Sequence, residues 1–173
     1  MGTIRGEQII GQAFKNEGVD TIFFMMGGPT SGTAAACLEL GMQGIYVRHE
    51  QAAAMMAHAY ARVTGKPGIC ITPSGPGTAN AVTGLANAWG DAAPVIAIGG
   101  SAPMRTTTME SFQEMDQVAM MKPVVKAAYR VDIAQRIPDY ISLAFREAMD
   151  GKKGPIYLDL PGDILSAKVE EER

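Results

Sequence analysis

The chain has 173 residues, 47% of them apolar and 19% charged, with a formal net charge of -3. That is enough for one unit with its own core. Scattered basic residues and only five Phe and five Tyr argue against nucleic acid, and no apolar run approaches the ~20 residues of a membrane span. The N-terminus lacks a signal-peptide layout. Met1-Gly2 does not complete a myristoylation pattern, because Gly6 stands where Ser or Thr is needed. Cys37 and Cys70 sit in unrelated apolar contexts and read as buried free thiols. The expectation is a cytoplasmic protein without membrane contact.

Ile9, Ile10, Ala13 and Phe14 fall at helical spacing and predict a helix over 5–17, stopped by Gly18. DTIFFMM (20–26) reads as a continuously apolar strand. The loop GGPTSG follows, then a small-residue helix from Thr33 to Leu40. GIYVRH (44–49) is the next strand and 50–64 the next helix, closed by Gly65 and Pro67. GICIT (68–72) is a strand, PSGPGTAN a loop feeding a helix that runs to Ala88, and PVIAIGG (94–100) a fourth strand. Residues 101–123 are polar and irregular, with a short helix near 113–121. A strand over 124–131, a helix over 133–149 and a strand over 155–160 complete the pattern. SAKVEEER reads as a solvated linker or frayed end, so that 1–165 form one unit and 166–173 lead toward a second domain absent from this chain.

Strands buried on both faces give continuous apolar runs, and helices between them supply right-handed crossovers. The prediction is a single-domain, doubly wound parallel α/β sheet with helices on both faces. In such a sheet ligands bind beyond the carboxyl ends of the strands. Three strand ends there carry unusual residues: Gly27-Gly28, His49-Glu50 and Pro73 through Asn80. GGPTSG lacks the Lys-Ser/Thr of a phosphate-cradling P-loop. GPGTAN has Asn80 in place of the third glycine of the dinucleotide fingerprint, and no acid closes PVIAIGG, which disfavours an NAD-binding oxidoreductase.

Glu50 opens a helix among small apolar residues, AAAMMAHAYA. In solvent, a helix start favours a carboxylate by roughly 0.3–1 kcal/mol. In apolar surroundings a carboxyl is instead pushed toward its protonated form and can take a catalytic role. Local context leaves both readings open. His49 reads as a loop anchor and His58 as a structural histidine. Trp89 and most of the twelve methionines read as core, with Met55 and Met56 alternatively at a subunit contact. Glu114 and Asp116 read as solvated charges, and no spacing of His, Cys, Asp or Glu predicts a metal site.

VDTIFFMMGG, YVRHEQAAAMMAHAYARVTGKPG, SGPGTANAVTGLANAWGDAAPVIAIGG and FQEMDQVAMMKPVVKAAYRV, in this order, resemble the N-terminal pyrimidine-binding domain of thiamine-diphosphate-dependent enzymes. The likeness covers residues 3 to 165 and points to the acetolactate synthase-like branch, which takes in benzaldehyde lyase and oxalyl-CoA decarboxylase. It implies a decarboxylase or carboligase acting on a 2-oxo acid such as pyruvate. In that family the glutamate matched by Glu50 hydrogen-bonds a ring nitrogen of the aminopyrimidine and activates the cofactor. Gly27 and Gly28 match a loop whose backbone meets the pyrimidine edge, and Pro76 and Asn80 match the GPGxxN element lining the pyrimidine pocket. Met25 stands where synthases often carry an aromatic residue. Gln113 matches a polar side chain facing the substrate and Phe112 a pocket wall. Pro29 falls where benzaldehyde lyase-like enzymes place a catalytic histidine, which weakens that substrate class.

The resemblance assigns the diphosphate and its Mg²⁺ to a separate domain with a GDG element, which this sequence lacks, and leaves FAD open for the full-length enzyme. It implies that the partner is the diphosphate-binding domain of another subunit in a homodimer or homotetramer. The chain would then be a piece of a longer enzyme, one subunit of a two-chain enzyme, or a free-standing domain. Alternatives are a non-catalytic binding or assembly module, or a fragment of a 2-hydroxyacyl lyase or oxalyl-CoA decarboxylase-like enzyme.

Overall fold

In a computed structural model, which describes residues 2–170, the apolar runs form the strands of a six-stranded, wholly parallel sheet. In chain order the elements are β1 (Thr3–Arg5), α1 (Gly6–Asn16), β2 (Thr21–Phe24), α2 (Ser31–Glu39), β3 (Gln43–Tyr46), α3 (Glu50–Thr64), β4 (Gly68–Thr72), α4 (Pro76–Asn80), α5 (Val82–Gly90) and β5 (Val95–Ser101). Then come α6 (Gln117–Met121), β6 (Ala127–Arg130), α7 (Ile137–Met149), β7 (Ile156–Pro161), α8 (Gly162–Ser166) and β8 (Lys168–Glu170). The strand order is β3-β2-β4-β5-β7-β6.

The order explains where a site can form. From β2 the chain winds outward to β3, then returns to place β4 on the other side of β2. The carboxyl ends of β2 and β4 are therefore the topological switch point, where the connections diverge and leave a crevice. Gly27-Gly28 and the turn at 73–80 both lie there.

Alternation along the strands feeds two cores. Ile69 and Ile71 of β4, with Ile96 and Ile98 of β5, pack against α1, α2 and α7 through Ile10, Phe14, Cys37 and Ile141. Cys70 and Ala97 point the other way, into a layer built on Ala53, Ala54 and Ala57 of α3 and Leu85 and Ala88 of α5. The small residues let that layer sit close. A Cβ at Gly68 would run into Ala57 O, and one at Gly84 would lie 2.5 Å from Ala54 Cβ. Both cysteines are buried free thiols, as read from the sequence.

Three details differ from the sequence reading. GPGTAN is not only a loop: Pro76, with its fixed φ and no N–H to lose, starts α4, and Ala81 separates α4 from α5. Residues 122–124 and 134–136 are 3₁₀ turns, which shorten the predicted fifth strand and delay the helix after it. The tail is not a frayed end at 168–170, where β8 pairs antiparallel with β1, Ile4 opposite Val169. Val169 is partly buried against the core, and this single apolar contact in a charged stretch explains the pairing. Residues 171–173 of the predicted tail lie outside the described residues. Among the described residues, no helix is long and apolar enough to cross a membrane.

Candidate functional site

Glu50 is the first residue of α3 and is only 8% exposed. The alanines behind it bring the helix down onto the sheet, and that approach draws the carboxylate below the surface. His49 is the N-cap: its Nδ1 accepts from Gln51 N at 3.2 Å, so its ring anchors the loop as the sequence suggested. Glu50 Oε2 accepts from Asn80 Nδ2 at 2.8 Å. Oε1 lies on the Gly77 side, where a Cβ would come within 3.1 Å of it and 2.5 Å of Pro73 Cγ. Glycine at 77 is thus required by close approach rather than by dihedral freedom. Behind the carboxylate, burial and then the Glu50 charge push the Cys70 thiol up to about 12.

The glycine loop after β2 is knitted to this turn. Gly28 O accepts from Ser74 N at 3.3 Å, and a Cβ at Gly27 would meet Pro73 Cβ at 2.6 Å. Gly27 O also holds the start of α2, accepting from Thr30 N at 3.0 Å and Ser31 Oγ at 3.2 Å. Nothing lies within 4 Å of a Cβ at Gly28, so packing gives no reason for that glycine. Met25 joins β2 to β4 through its N–H to Ile71 O at 3.1 Å, and its half-buried side chain packs on the α3 layer.

Gln113 has φ 61° and its Oε1 accepts from Ser74 Oγ at 2.8 Å. Its carbonyl covers Gly75, where a Cβ would be 2.5 Å away. Phe112 beside it is 87% exposed. Gln113 lines two adjoining clefts. One, of ≈ 1010 Å³, includes Pro76, Ser101, Met115 and Arg130. The other, of ≈ 390 Å³, includes Gly28, Pro29, Ser74, Phe112 and Asp163. Glu50 and Asn80 line neither. The structure therefore joins Glu50, Gly77 and Asn80 into one group and places Gln113 and Phe112 in a neighbouring one, with Ser74 through Pro76 between them.

Sequence reasoning missed a buried polar cluster under these clefts. Asp159, fully buried, accepts from Ser101 Oγ at 3.0 Å, Arg130 Nε at 2.7 Å, Gln117 Nε2 at 2.7 Å and the Tyr157 hydroxyl at 3.0 Å. Burial, and next the Asp159 carboxylate, hold the Tyr157 phenol well above its usual range. One signal was present: an aspartate inside the apolar run PIYLDL must find partners wherever it is buried.

The remaining candidates are structural. Glu114 is not simply a solvated charge: it accepts from Thr108 N at 2.6 Å and Ser111 N at 2.9 Å, and those backbone bonds hold its carboxyl below the usual range. Asp116 caps α6 through Ala119 N at 3.1 Å. His58 Nε2 is 3.0 Å from Asp91 Oδ2, which also receives Arg62 Nη1 at 2.9 Å. Trp89 is only partly buried, with Lys152 Nζ 5.0 Å from the centre of its ring. Among the described residues, no three His, Cys, Asp or Glu are grouped to hold a metal ion.

Comparison with known proteins places this geometry in context. Residues 4–120 match the family described as "Thiamine pyrophosphate enzyme, N-terminal TPP binding domain". A probable acetolactate synthase large subunit of Methanocaldococcus jannaschii is 36% identical over 170 residues, covering 98% of this chain and 29% of the relative. A 2-hydroxyacyl-CoA lyase of Arabidopsis thaliana is 36% identical over 169 residues, covering 98% and 30%. An oxalyl-CoA decarboxylase of Escherichia coli is 38% identical over 169 residues, covering 96% and 30%. The chain thus spans about three-tenths of the length of these relatives.

Proposed function

Because the chain belongs to the thiamine pyrophosphate enzyme family, matching its N-terminal cofactor-binding domain, we propose that it is the aminopyrimidine-binding part of a decarboxylase or carboligase acting on a 2-oxo acid such as pyruvate, with Glu50 activating the cofactor. The observation that carries this reading is the placement of Glu50: a nearly buried carboxylate, fixed by Asn80, at the switch point of a parallel sheet.

The residues present suit the ring. Oε1 of Glu50 receives no hydrogen-bond donor among the described residues and is free to hold a proton against a ring nitrogen. Asn80 fixes the plane of the carboxylate. Gly77 keeps a side chain away from Oε1, and Gly27 lets the β2 loop pack closely on Pro73 of the same turn. When bound, thiamine diphosphate supplies a thiazolium that accepts the electron pair released as a bond to a carbonyl carbon breaks. Gln113 would face the substrate and Phe112 wall it. The diphosphate and Mg²⁺ would be held by another domain, contributed by a second subunit of a homodimer or homotetramer. The exposed Met26, Tyr46, Met55 and Met56 around the start of α3 support such a covering contact.

A second reading keeps Glu50 in this role and changes the substrate to an acyl-CoA. Its support is the pair of relatives named for 2-hydroxyacyl-CoA and oxalyl-CoA, as similar as the acetolactate synthase. The test uses the full-length protein containing this chain, with thiamine diphosphate and Mg²⁺. Cofactor-dependent CO₂ release from pyruvate supports the first reading. Release from oxalyl-CoA, or cleavage of a 2-hydroxyacyl-CoA, with none from pyruvate supports the second. No cofactor-dependent turnover of any of them favours a non-catalytic module.

A further inference from the structure

Gln117 is fully buried at the start of α6, and its carboxamide ties together four separate parts of the chain. Oε1 accepts the backbone N–H of Gly75. Nε2 faces Gly100 O at 2.9 Å, the Tyr157 hydroxyl at 2.8 Å and Asp159 Oδ1 at 2.7 Å. Two N–H groups serve three acceptors, and Tyr157 reduces the demand by donating its own proton to Asp159. Asp159 is fixed in turn by Ser101 and Arg130, so the far end of the clamp is rigid.

The near end is the turn that matters. Gly75 has φ 57° and ψ -115°, a conformation that only glycine adopts easily. Its N–H is buried, and without an acceptor it would carry its full desolvation cost. Immediately after it come Pro76 and Gly77, then Asn80, which meets Glu50. Immediately before it is Ser74, which holds Gln113. A side chain needed only to fill space between α6 and β7 would be apolar, as the fully buried Met121 is one turn later.

We propose that Gln117 is a positioning residue: by clamping the Gly75 N–H to the Asp159–Tyr157 pair, it sets where Gly77 and Asn80 stand against Glu50. This rests on the reading of Glu50 as the residue that meets the cofactor ring. Gln117 touches no ligand itself and acts through the turn.

The experiment compares the full-length protein with its Gln117→Met variant, nearly equal in volume but without the polar ends. Amide hydrogen exchange in the segment 73–80 should rise while β4 and β5 stay protected. The dissociation constant for thiamine diphosphate should rise about tenfold, the worth of one well-placed hydrogen bond. The KM for the turned-over substrate at saturating cofactor should stay within about twofold, because Gln113 keeps its own bond to Ser74. If Gln117→Met does not fold, Gln117→Asn serves: it keeps a carboxamide beside Asp159 but is too short to bridge to Gly75, and the same changes are expected. Wild-type protection at 73–80 and unaltered cofactor affinity in the folded variants overturn the proposal. So does faster exchange with unchanged affinity. Wild-type protein that takes up no thiamine diphosphate overturns the reading of Glu50 beneath it, a separate outcome.

Discussion

Asn80 Nδ2 donates to Glu50 Oε2 across 2.8 Å, linking the last residue of α4 to the first residue of α3. The bond crosses the switch point and fixes which carboxylate oxygen is engaged and which is left free. A glutamate at an exposed helix start would be oriented by water; this one is oriented by a side chain 30 residues away.

Removing that bond should affect both chemistry and folding. Asn80 is exposed, but Asn80→Ala leaves the nearly buried Glu50 carboxylate without its side-chain donor. The hydrogen bond goes to a charged group, whose loss is worth about 1.5–3 kcal/mol. In the full-length protein kcat should fall roughly ten- to hundredfold, and the unfolding midpoint should drop as well, because the nearly buried Glu50 carboxylate loses its donor. Steady-state kinetics beside thermal unfolding check both.

Gly77→Ala should act differently. Its Cβ would press on Pro73 Cγ at 2.5 Å and approach Glu50 Oε1 at 3.1 Å. Overpacking of this kind costs about 1–3 kcal/mol, and the displaced turn should weaken thiamine diphosphate binding as well. Titration calorimetry should show reduced affinity in a protein that still folds.

The Asp159 cluster predicts a stability defect. Asp159→Ala leaves the Ser101 and Tyr157 donors buried without their acceptor and frees Arg130, whose side chain is partly exposed. A loss of about 3 kcal/mol is expected, measured as a lower denaturant midpoint with an unchanged slope.

Alkaline pH should also destabilise the chain. Burial raises both thiols, Cys37 and Cys70, from 9.0 to about 12. Between those values the unfolded chain loses protons that the folded chain keeps, so stability falls as pH rises. The contribution is intact below pH 9 and is lost progressively toward 12. Urea unfolding across pH 7 to 11 should show a decline beginning near 9, and a Cys37→Ala, Cys70→Ala pair should flatten that part of the curve.

The parts of the fold that were legible in the sequence are those written in local pattern. Continuous runs such as GICIT and PVIAIGG marked strands buried on both faces, and the alanine-rich stretch after Glu50 suited a helix packed closely on the sheet, while local context leaves the burial of Glu50 itself open. The three strand ends were correctly gathered on one edge because a parallel sheet leaves them no other arrangement. What stayed hidden depends on distant partners or on single side chains. The role of Gln117 requires Gly75 and Asp159, each 42 residues away along the chain. The pairing of β8 rests on Val169 meeting Ile4 within a stretch whose charge suggested solvent. Glu114 looked solvated because its partners, Thr108 and Ser111, are backbone N–H groups that any sequence could supply.

The most direct test of the account is the turnover of full-length protein carrying Glu50→Gln, assayed at saturating thiamine diphosphate and Mg²⁺. The substitution preserves size and the contact with Asn80 but cannot exchange a proton at Oε1. The account predicts a folded, cofactor-binding protein whose kcat is lower by about 10²–10⁴-fold. Turnover equal to that of the unaltered enzyme would contradict it.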